Sequence, residues 1–279
     1  MEIKSILVHL DGSPRSAVRL HIAHQLAREH DSARVTALFA VEPQPMPVPV
    51  SVPDGPVPTV LVPKQVAPEQ RARARAIFDA ALAEHGPPLV WHEVQGDLPA
   101  WGIAQAALYA DLLVLGQYDP NHLPTYDVPK DLVESVIVDS GRPALVIPHT
   151  GMFDSLGRNT LVAWKPSRET ARAVSGAMPL LKRADRVQVV AWGKDSFAPA
   201  ETTFGIDRYL AWHGVEAKAH RYPEPATELG EILLSHVADE SADLLVMGCY
   251  SHSRLRELVL GGVTRTVLKS MTVPVLMAH

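Results

Sequence analysis

The feature that most constrains the fold of this 279-residue chain is an internal repeat. Residues 110–118 read ADLLVLGQY and residues 242–250 read ADLLVMGCY, so seven of the nine positions match at an offset of 132. Upstream, the apolar run at 6–8 resembles the run at 160–162 at an offset of 154. Because the elements follow in the same order, we predict two copies of one small domain fused head to tail.

The change in offset means that the first copy carries about 22 additional residues. Nine of the 24 prolines lie between Pro43 and Pro68. Proline fixes φ and has no N–H, so this stretch can be neither a helix interior nor a central strand. We predict an extended surface loop or lid over 43–68, with a disordered insertion as the alternative.

Each copy alternates continuous apolar runs with helical stretches, which is typical of parallel strands covered by helices on both faces. The pattern predicts an α/β fold with two tandem doubly wound domains, each a five-stranded parallel sheet flanked by helices. The predicted domains are 1–150 and 158–279, and the strand order is either flavodoxin-like or a related one. The strands of the first copy are expected near 6–8, 35–41, 112–116 and 144–148, those of the second copy near 160–164, 187–192, 216–221, 243–248 and 273–278, and the helices of the second copy near 167–183, 200–213, 227–238 and 262–270.

Composition narrows the class of protein. A net charge of −5 makes a nucleic-acid partner unexpected, because gripping a phosphate backbone needs a basic surface. The single cysteine, Cys249, excludes an intrachain disulfide and fits a reducing compartment. No apolar run approaches the roughly 18 residues of a membrane span, and the N-terminus does not resemble a signal peptide. We therefore expect a cytoplasmic protein without a membrane or nucleic-acid partner.

Two segments at predicted strand ends carry candidate chemistry, since ligands of open parallel sheets bind beyond the carboxyl ends of the strands. Asp11 and Ser13 follow the first strand of the first copy, where they either contact a ligand or form a turn and helix cap. In the second copy, Gly248 follows the fourth strand, and Gly261-Gly262-Val263 opens the last helix. Glycines beside a helix N-terminus favour an anion, although a plain glycine-capped loop is the alternative.

The frame V-x-x-D-G-S at 8–13, the spaced glycine loop and the closing Pro-Val-Leu strand resemble the universal stress protein family. The likeness covers both halves. It implies an adenine-nucleotide alpha hydrolase-like fold, pairing of the two domains through their last strands and, in some members, bound ATP. Exposed edge strands additionally predict a homodimer.

The second copy keeps the family's loop spacing but not all of its residues. Ser251 stands where ATP-binding members have glycine, and Gly262 stands where they have serine or threonine. Lys165 replaces the aspartate expected near the adenine end. The first copy instead keeps Asp11, with Val41 placed to flank a base, but its loop after Gly116 lacks the later glycines.

A cradle of several backbone donors is harder to replace than one base contact, since each hydrogen bond to a charged group contributes about 1.5–3 kcal/mol. We therefore expect any nucleotide, ATP or ADP with or without Mg²⁺, in the second copy. The predicted binding residues are Ala163, Lys165, Met247, Gly248, Ser251, Gly261, Gly262 and Val263, with Asp11, Val41 and Gly116 as the first-copy set.

The remaining candidates have ordinary alternatives. His21 and His24 are spaced as a metal pair, but two ligands do not make a site. Trp164 and Trp192 either wall a pocket or fill it. No signature of a nucleophile elbow, phosphate-binding P-loop or zinc protease is present, so we do not expect an enzyme. The sequence predicts a tandem stress-response binding or regulatory module; the alternative is a degenerate member that acts as an interaction or structural protein.

Overall fold

The structure is a computed structural model that describes residues 2–42, 68–84, 86–94, 98–121, 128–193, 205–224, 228–249 and 262–279, and the backbone alone at 44–49 and 59–65. The first half contains β1 (Ser5–Leu10), α1 (Arg15–Glu29), β2 (Arg34–Phe39), β3 (Gln44–Pro49), β4 (Thr59–Gln65), α2 (Pro68–Ala83), β5 (Leu89–Glu93), α3 (Pro99–Ala107), β6 (Leu112–Gly116), α4 (Leu132–Ser140) and β7 (Ala144–Ile147). The second half contains β8 (Asn159–Ala163), α5 (Arg168–Leu181), β9 (Arg186–Trp192), α6 (Ile206–Trp212), β10 (Ala217–Tyr222), α7 (Leu229–Asp239), β11 (Leu244–Gly248), α8 (Val263–Ser270) and β12 (Val275–Ala278).

One ten-stranded sheet runs through both halves in the order β10-β9-β8-β11-β12-β7-β6-β1-β2-β5. Neighbouring strands within each half are parallel. The halves join where β7 and β12 pair antiparallel, with Val146 opposite Val275. If only the strands of this main sheet are numbered within each half, both halves have the spatial order third, second, first, fourth, fifth. The predicted tandem doubly wound fold is confirmed, and its strand order is the related one rather than the flavodoxin-like one.

The core lies on both faces of this sheet. On one face, α1 and α5 pack their apolar sides against alternate residues of the central strands, with Val8, Leu20 and Val174 fully or almost fully buried. On the other face, Leu113, Val136 and Leu245 belong to a second cluster that also spans both halves. Strands buried on both faces need apolar residues at consecutive positions, which is why continuous runs located them correctly.

The third strand of the first half, β5, was not located by its apolar content. It lies at the edge of the sheet and pairs only with β2 among the described strands. Most of its residues are only partly buried, and His92 is exposed. An edge strand needs fewer apolar residues, so its sequence carries a weaker signal.

The proline-rich segment contains a hairpin instead of the extended loop predicted for it. β3 and β4 pair antiparallel, with Pro47 opposite Leu61, and form a separate two-stranded sheet. Within the predicted segment, residues 43, 50–58 and 66–67 lie outside the described residues. Proline cannot donate to a central ladder, and the hairpin accordingly stays outside the main sheet.

The passage between the halves, residues 148–158, contains no helix or strand. Arg15, at the start of α1, holds this passage against the first half. The guanidinium of Arg15 donates hydrogen bonds to the carbonyl oxygens of Pro148 at 2.6 Å and Gly151 at 2.8 Å. The domain limits 1–150 and 158–279, which this passage separates, remain a proposal. None of the described helices is long and apolar enough to cross a bilayer.

Candidate functional site

The strand order creates one crevice in each half, at the carboxyl ends of the first and fourth strands. These are β1 and β6 in the first half and β8 and β11 in the second. Connections leave these neighbouring strands toward opposite faces, which opens a space between the following loops. Asp11 directly follows β1 and Gly116 ends β6 in the first crevice, while Ala163 and Gly248 end β8 and β11 in the second.

A buried ion pair occupies the first crevice. The guanidinium of Arg19 lies 2.9 Å from the carboxylate of Asp11, and the two side chains are only 4% and 7% exposed. Asp11 also accepts hydrogen bonds from the backbone N–H and the hydroxyl of Ser13. Its carboxylate is therefore engaged within the protein, where the sequence analysis had placed it beside a nucleotide base.

Arg19 also extends across the end of the fourth strand. Its Nε donates to the carbonyl of His9 at 2.8 Å, and its Nη2 donates to Ser16. A β-carbon added to Gly116 would overlap Nη1 of Arg19. Gly116 therefore accommodates the guanidinium of this chain, not an external phosphate.

The electrostatics of the first crevice follow from this pair. Burial alone would raise the pKa of the Asp11 carboxyl, but the charge on Arg19 and the hydrogen bonds from Ser13 outweigh it and hold the pKa well below its usual range. Burial, aided by the charge of Arg19, lowers the pKa of His9 to about 4. At neutral pH the ring is uncharged, and its Nε2–H donates to the carbonyl of Ala40 at 2.7 Å.

Little space remains beside the ion pair. The cavity there measures about 80 Å³ and is lined by Arg15, Asp119 and His149 as well as by the pair itself. Pockets that hold small organic ligands usually measure about 300–1,000 Å³. Val41 does not line this cavity, because it is buried in a cluster with Phe39 and Ala74. As lined by the described residues, the first crevice is thus smaller than the pockets that usually hold small organic ligands.

The second crevice is built from the ends of β8 and β11 and the helix that follows each. Ser167 caps α5 by accepting a hydrogen bond from the N–H of Thr170 at 3.3 Å. Gly248 lies directly against that first helical turn, since an added β-carbon would lie 2.5 Å from the backbone nitrogen of Thr170. This close approach requires glycine at position 248.

The other predicted residues of the second half lie at the same end of the sheet. Met247 is buried and pairs with the half-buried Ala163 across β8 and β11. Lys165 is exposed just beyond β8, and α8 begins at Val263 with Gly262 as its N-cap. An ammonium group and a helix N-terminus both favour negative charge. Ser251 and Gly261 lie outside the described residues.

The two tryptophans that the sequence placed either around a pocket or inside it, Trp164 and Trp192, pack against neighbouring side chains. Trp192 stacks on Tyr222 at 5.7 Å and contacts His236 edge-on, whereas Trp164 packs against the core cluster on the α1 and α5 face. His21 and His24 remain on α1, and the described residues contain no group of three or more metal-ligating side chains.

The structure adds two residues that the sequence analysis did not select, Arg19 and Gln117. Arg19 had one weak signal in the sequence, because it is a basic residue between the apolar Val18 and Leu20 on a helix. Gln117 follows Gly116 and donates to the carbonyls of Leu268 and Lys269 in the other half. That contact joins residues 151 positions apart, so no local pattern indicates it.

Comparison with known proteins relates the second half to a protein family. Residues 158–279 match the model of the Universal stress protein family. This half is a universal stress protein domain. A universal stress protein of Synechocystis sp. is 44% identical over 46 residues, which are 16% of this chain and 16% of that protein.

Solved structures extend the likeness to the first half as a matter of fold. A universal stress protein from Archaeoglobus fulgidus matches with a TM-score of 0.67 and 15% identity, over 98% of this chain and 95% of the other. A protein of unknown function from Pseudomonas aeruginosa matches with a TM-score of 0.63 and 15% identity, over 98% and 92%. The first half therefore has the universal stress protein fold.

The universal stress protein domain differs from the first half where the ion pair lies. The buried faces of α1 and α5 coincide at an offset of 154, which places Ser16, Leu20 and Ala23 opposite Thr170, Val174 and Ala177. At the same offset, Arg19 corresponds to Ala173 and Asp11 to Lys165. The domain at 158–279 thus has a methyl group where the first half has a guanidinium.

Proposed function

We propose that this chain is a regulatory binding module whose universal stress protein domain binds an adenine nucleotide at the carboxyl ends of β8 and β11. The first half, in this proposal, has exchanged ligand binding for the internal Asp11–Arg19 pair and serves as a structural partner. The chain binds and responds to the nucleotide but does not turn it over.

The observation that carries the proposal is the exchange of Arg19 for Ala173. In the first half the guanidinium crosses the crevice and lies against Gly116. Alanine at position 173 is fully buried and has no side chain long enough to cross the second crevice. The two halves share one fold, so this exchange favours the second half as the one that keeps ligand space.

Charge supports the same assignment. Lys165 is an exposed cation at the end of β8, at the sheet end where α8 begins with Gly262. A lysine beside a helix N-terminus stabilises phosphate groups, each charged hydrogen bond contributing about 1.5–3 kcal/mol. The corresponding cavity of the first half is lined by two carboxylates, Asp11 and Asp119, and two guanidinium groups, Arg15 and Arg19, so its side chains carry no net positive charge for a phosphate.

Calorimetric titration of ligand-stripped protein with ATP and with ADP, each with and without Mg²⁺, tests the proposal. We expect one site per chain, weakened at least tenfold by Lys165→Ala and abolished by Gly261→Asp. Lys182→Ala is the matched control, because Lys182 is an exposed lysine at the opposite end of α5, and it should bind as the native protein does.

A double variant provides a second test. The double variant Lys165→Asp/Ala173→Arg moves the ion pair of the first half into the second, and it should lose nucleotide binding while remaining folded by circular dichroism. If the native protein releases no heat with either nucleotide up to millimolar concentration, the nucleotide proposal is wrong. The chain would then act as the degenerate interaction protein that the sequence analysis named as the alternative.

A further inference from the structure

A second, larger groove lies in the first half, on the face of the sheet opposite α1. It measures about 460 Å³ and lies between α3 and the strands β1, β2 and β5. Its floor includes the aliphatic side chains of Leu7 and Leu38, and its rim carries Trp101 and Tyr109. These two aromatic residues are 61% and 87% exposed, although they belong to a largely apolar helix and the turn after it.

The same place is filled by side chains in the second half. The strand registers show which residues of the two halves are equivalent. Ile6 pairs with Val35 in the first half and Thr160 pairs with Val187 in the second, so Ile6 is equivalent to Thr160 and Val35 to Val187. Continuing the registers through the outer strands sets Val94 opposite Tyr222 and Ala40 opposite Trp192. The smaller residue lies in the first half at both positions.

Aromatic rings occupy the space in the second half. Trp192 stacks on Tyr222 with ring centres 5.7 Å apart, and His236 of α7 lies 4.7 Å from Tyr222. At another position of β9, Gln188 donates a hydrogen bond of 2.8 Å to Glu240. The equivalent residue in the first half is the shorter Thr36. Of these positions Val94 and Thr36 line the groove, and the second half has the larger Tyr222 and Gln188 there, so the groove lies where these longer side chains stand in the other copy of the fold.

The charges around the groove favour an uncharged occupant. Neither lysine nor arginine is among its described lining residues. Glu93 lines it, but its carboxylate is held by the guanidinium of Arg71 and the indole N–H of Trp91, and Trp91 packs with Phe78 of α2 on the other face of the sheet. Thr36 and Gln105 supply a hydroxyl and a carboxamide for hydrogen bonding.

We propose that this groove binds a small, neutral molecule with a planar aromatic ring. Its volume falls in the range of about 300–1,000 Å³ found for small-molecule sites, and its lining combines an apolar floor with a few polar groups. The ring lies on Leu7 and Leu38 and contacts the exposed face of Trp101. This site is separate from the nucleotide crevice and does not depend on the proposed nucleotide function.

Indole is the probe for the experiment, because it is neutral, planar and similar in size to the tryptophan ring that fills the other half. The protein is labelled with 5-fluorotryptophan, and the ¹⁹F signals of its five tryptophans are assigned by single Trp→Phe variants. Titration with indole should shift the Trp101 signal along a saturating curve. Trp212 is the internal control, because it is 64% exposed on α6, away from the groove.

Groove-filling variants complete the test. Val94→Tyr and Thr36→Gln each introduce the residue of the second half, and each should raise the indole concentration for half-maximal shift at least tenfold. Leu82→Ala, an exposed apolar position on α2, should leave it unchanged. Shifts of Trp101 and Trp212 that rise together without saturation overturn the proposal, and so does unaltered binding in both folded filling variants. The indole titration is repeated with ATP present. Indole binding that is unchanged by ATP shows that the groove proposal stands or fails separately from the nucleotide proposal.

Discussion

The side-chain nitrogen of Gln117 lies 2.8 Å from the carbonyl oxygen of Leu268, so a residue after β6 caps the last turn of α8 in the opposite half. The same carboxamide accepts hydrogen bonds from the backbone N–H and the ring of His149, at 2.9 and 2.8 Å. One buried side chain thus connects the end of a first-half strand, the passage between the halves and a second-half helix. The residue directly after Gly116 therefore joins the two halves of the chain.

Gln117→Ala should lower the free energy of unfolding by about 1–3 kcal/mol, because it leaves buried backbone groups of α8 and the N–H of His149 without partners. Urea denaturation followed by circular dichroism measures the change. Gln25→Ala is the control, since Gln25 makes only a 3.4 Å contact within α1. Equal destabilisation by the two variants would contradict a role for Gln117 between the halves.

Asp11→Asn should destabilise the protein by about 3–5 kcal/mol at pH 7, because it leaves the charge of Arg19 buried without its partner. Asp79→Asn, which alters an exposed pair with Arg75 on α2, should change the free energy of unfolding by no more than about 0.5 kcal/mol. Denaturation curves of the three proteins decide the point. A loss below 1 kcal/mol in Asp11→Asn would show that the pair is not buried as described.

The same carboxylate predicts an acid dependence. The folded-state pKa of Asp11 is below the unfolded value of about 3.9, so its stabilisation is complete above that pH and is lost as the pH falls further. Between pH 5 and pH 3 the native protein should therefore lose more stability than Asp11→Asn does. Parallel slopes over this interval would refute the linkage.

His9 should titrate with a midpoint near pH 4 in the folded protein, because burial and the charge of Arg19 oppose its protonation. Its unfolded pKa is about 6.5, so the unfolded state takes up the proton first. The contribution of the neutral ring is complete above pH 6.5 and declines as the pH falls toward 4. Nitrogen-15 chemical shifts of the His9 ring, assigned with His9→Gln, give the midpoint; a value near 6.5 would show that the ring is not enclosed.

Gly248→Ala should cost more than about 1 kcal/mol of stability, since the added carbon would lie 2.5 Å from the backbone of Thr170 and α5 would have to shift. Gly86→Ala provides the matched control, because there the nearest atom is the flexible guanidinium of Arg28 at 3.3 Å. Thermal unfolding compares the two variants. A neutral Gly248→Ala variant would mean that the first turn of α5 yields easily.

The sequence by itself predicted the tandem α/β architecture, although not its strand order. Two matching segments at an offset of 132 indicated the duplication, and continuous apolar runs located the buried strands β1, β2, β6 and β7 in the first half. Both signals are local, because a strand covered on two faces must be apolar at consecutive residues. The edge strand β5 and the β3–β4 hairpin were not located, since exposed strands need no such run.

The candidate sites depended on tertiary structure. The sequence selected Asp11 and Gly116 as ligand contacts, but only the packing of α1 on β1 and β6 brings Arg19 between them. The contact of Gln117 with Leu268 and the open groove beside Trp101 likewise arise between elements far apart in the chain. Residue types and spacing determine which elements form. Which side chain fills a given space is decided when those elements dock, because it depends on the volumes of neighbours that no local pattern specifies.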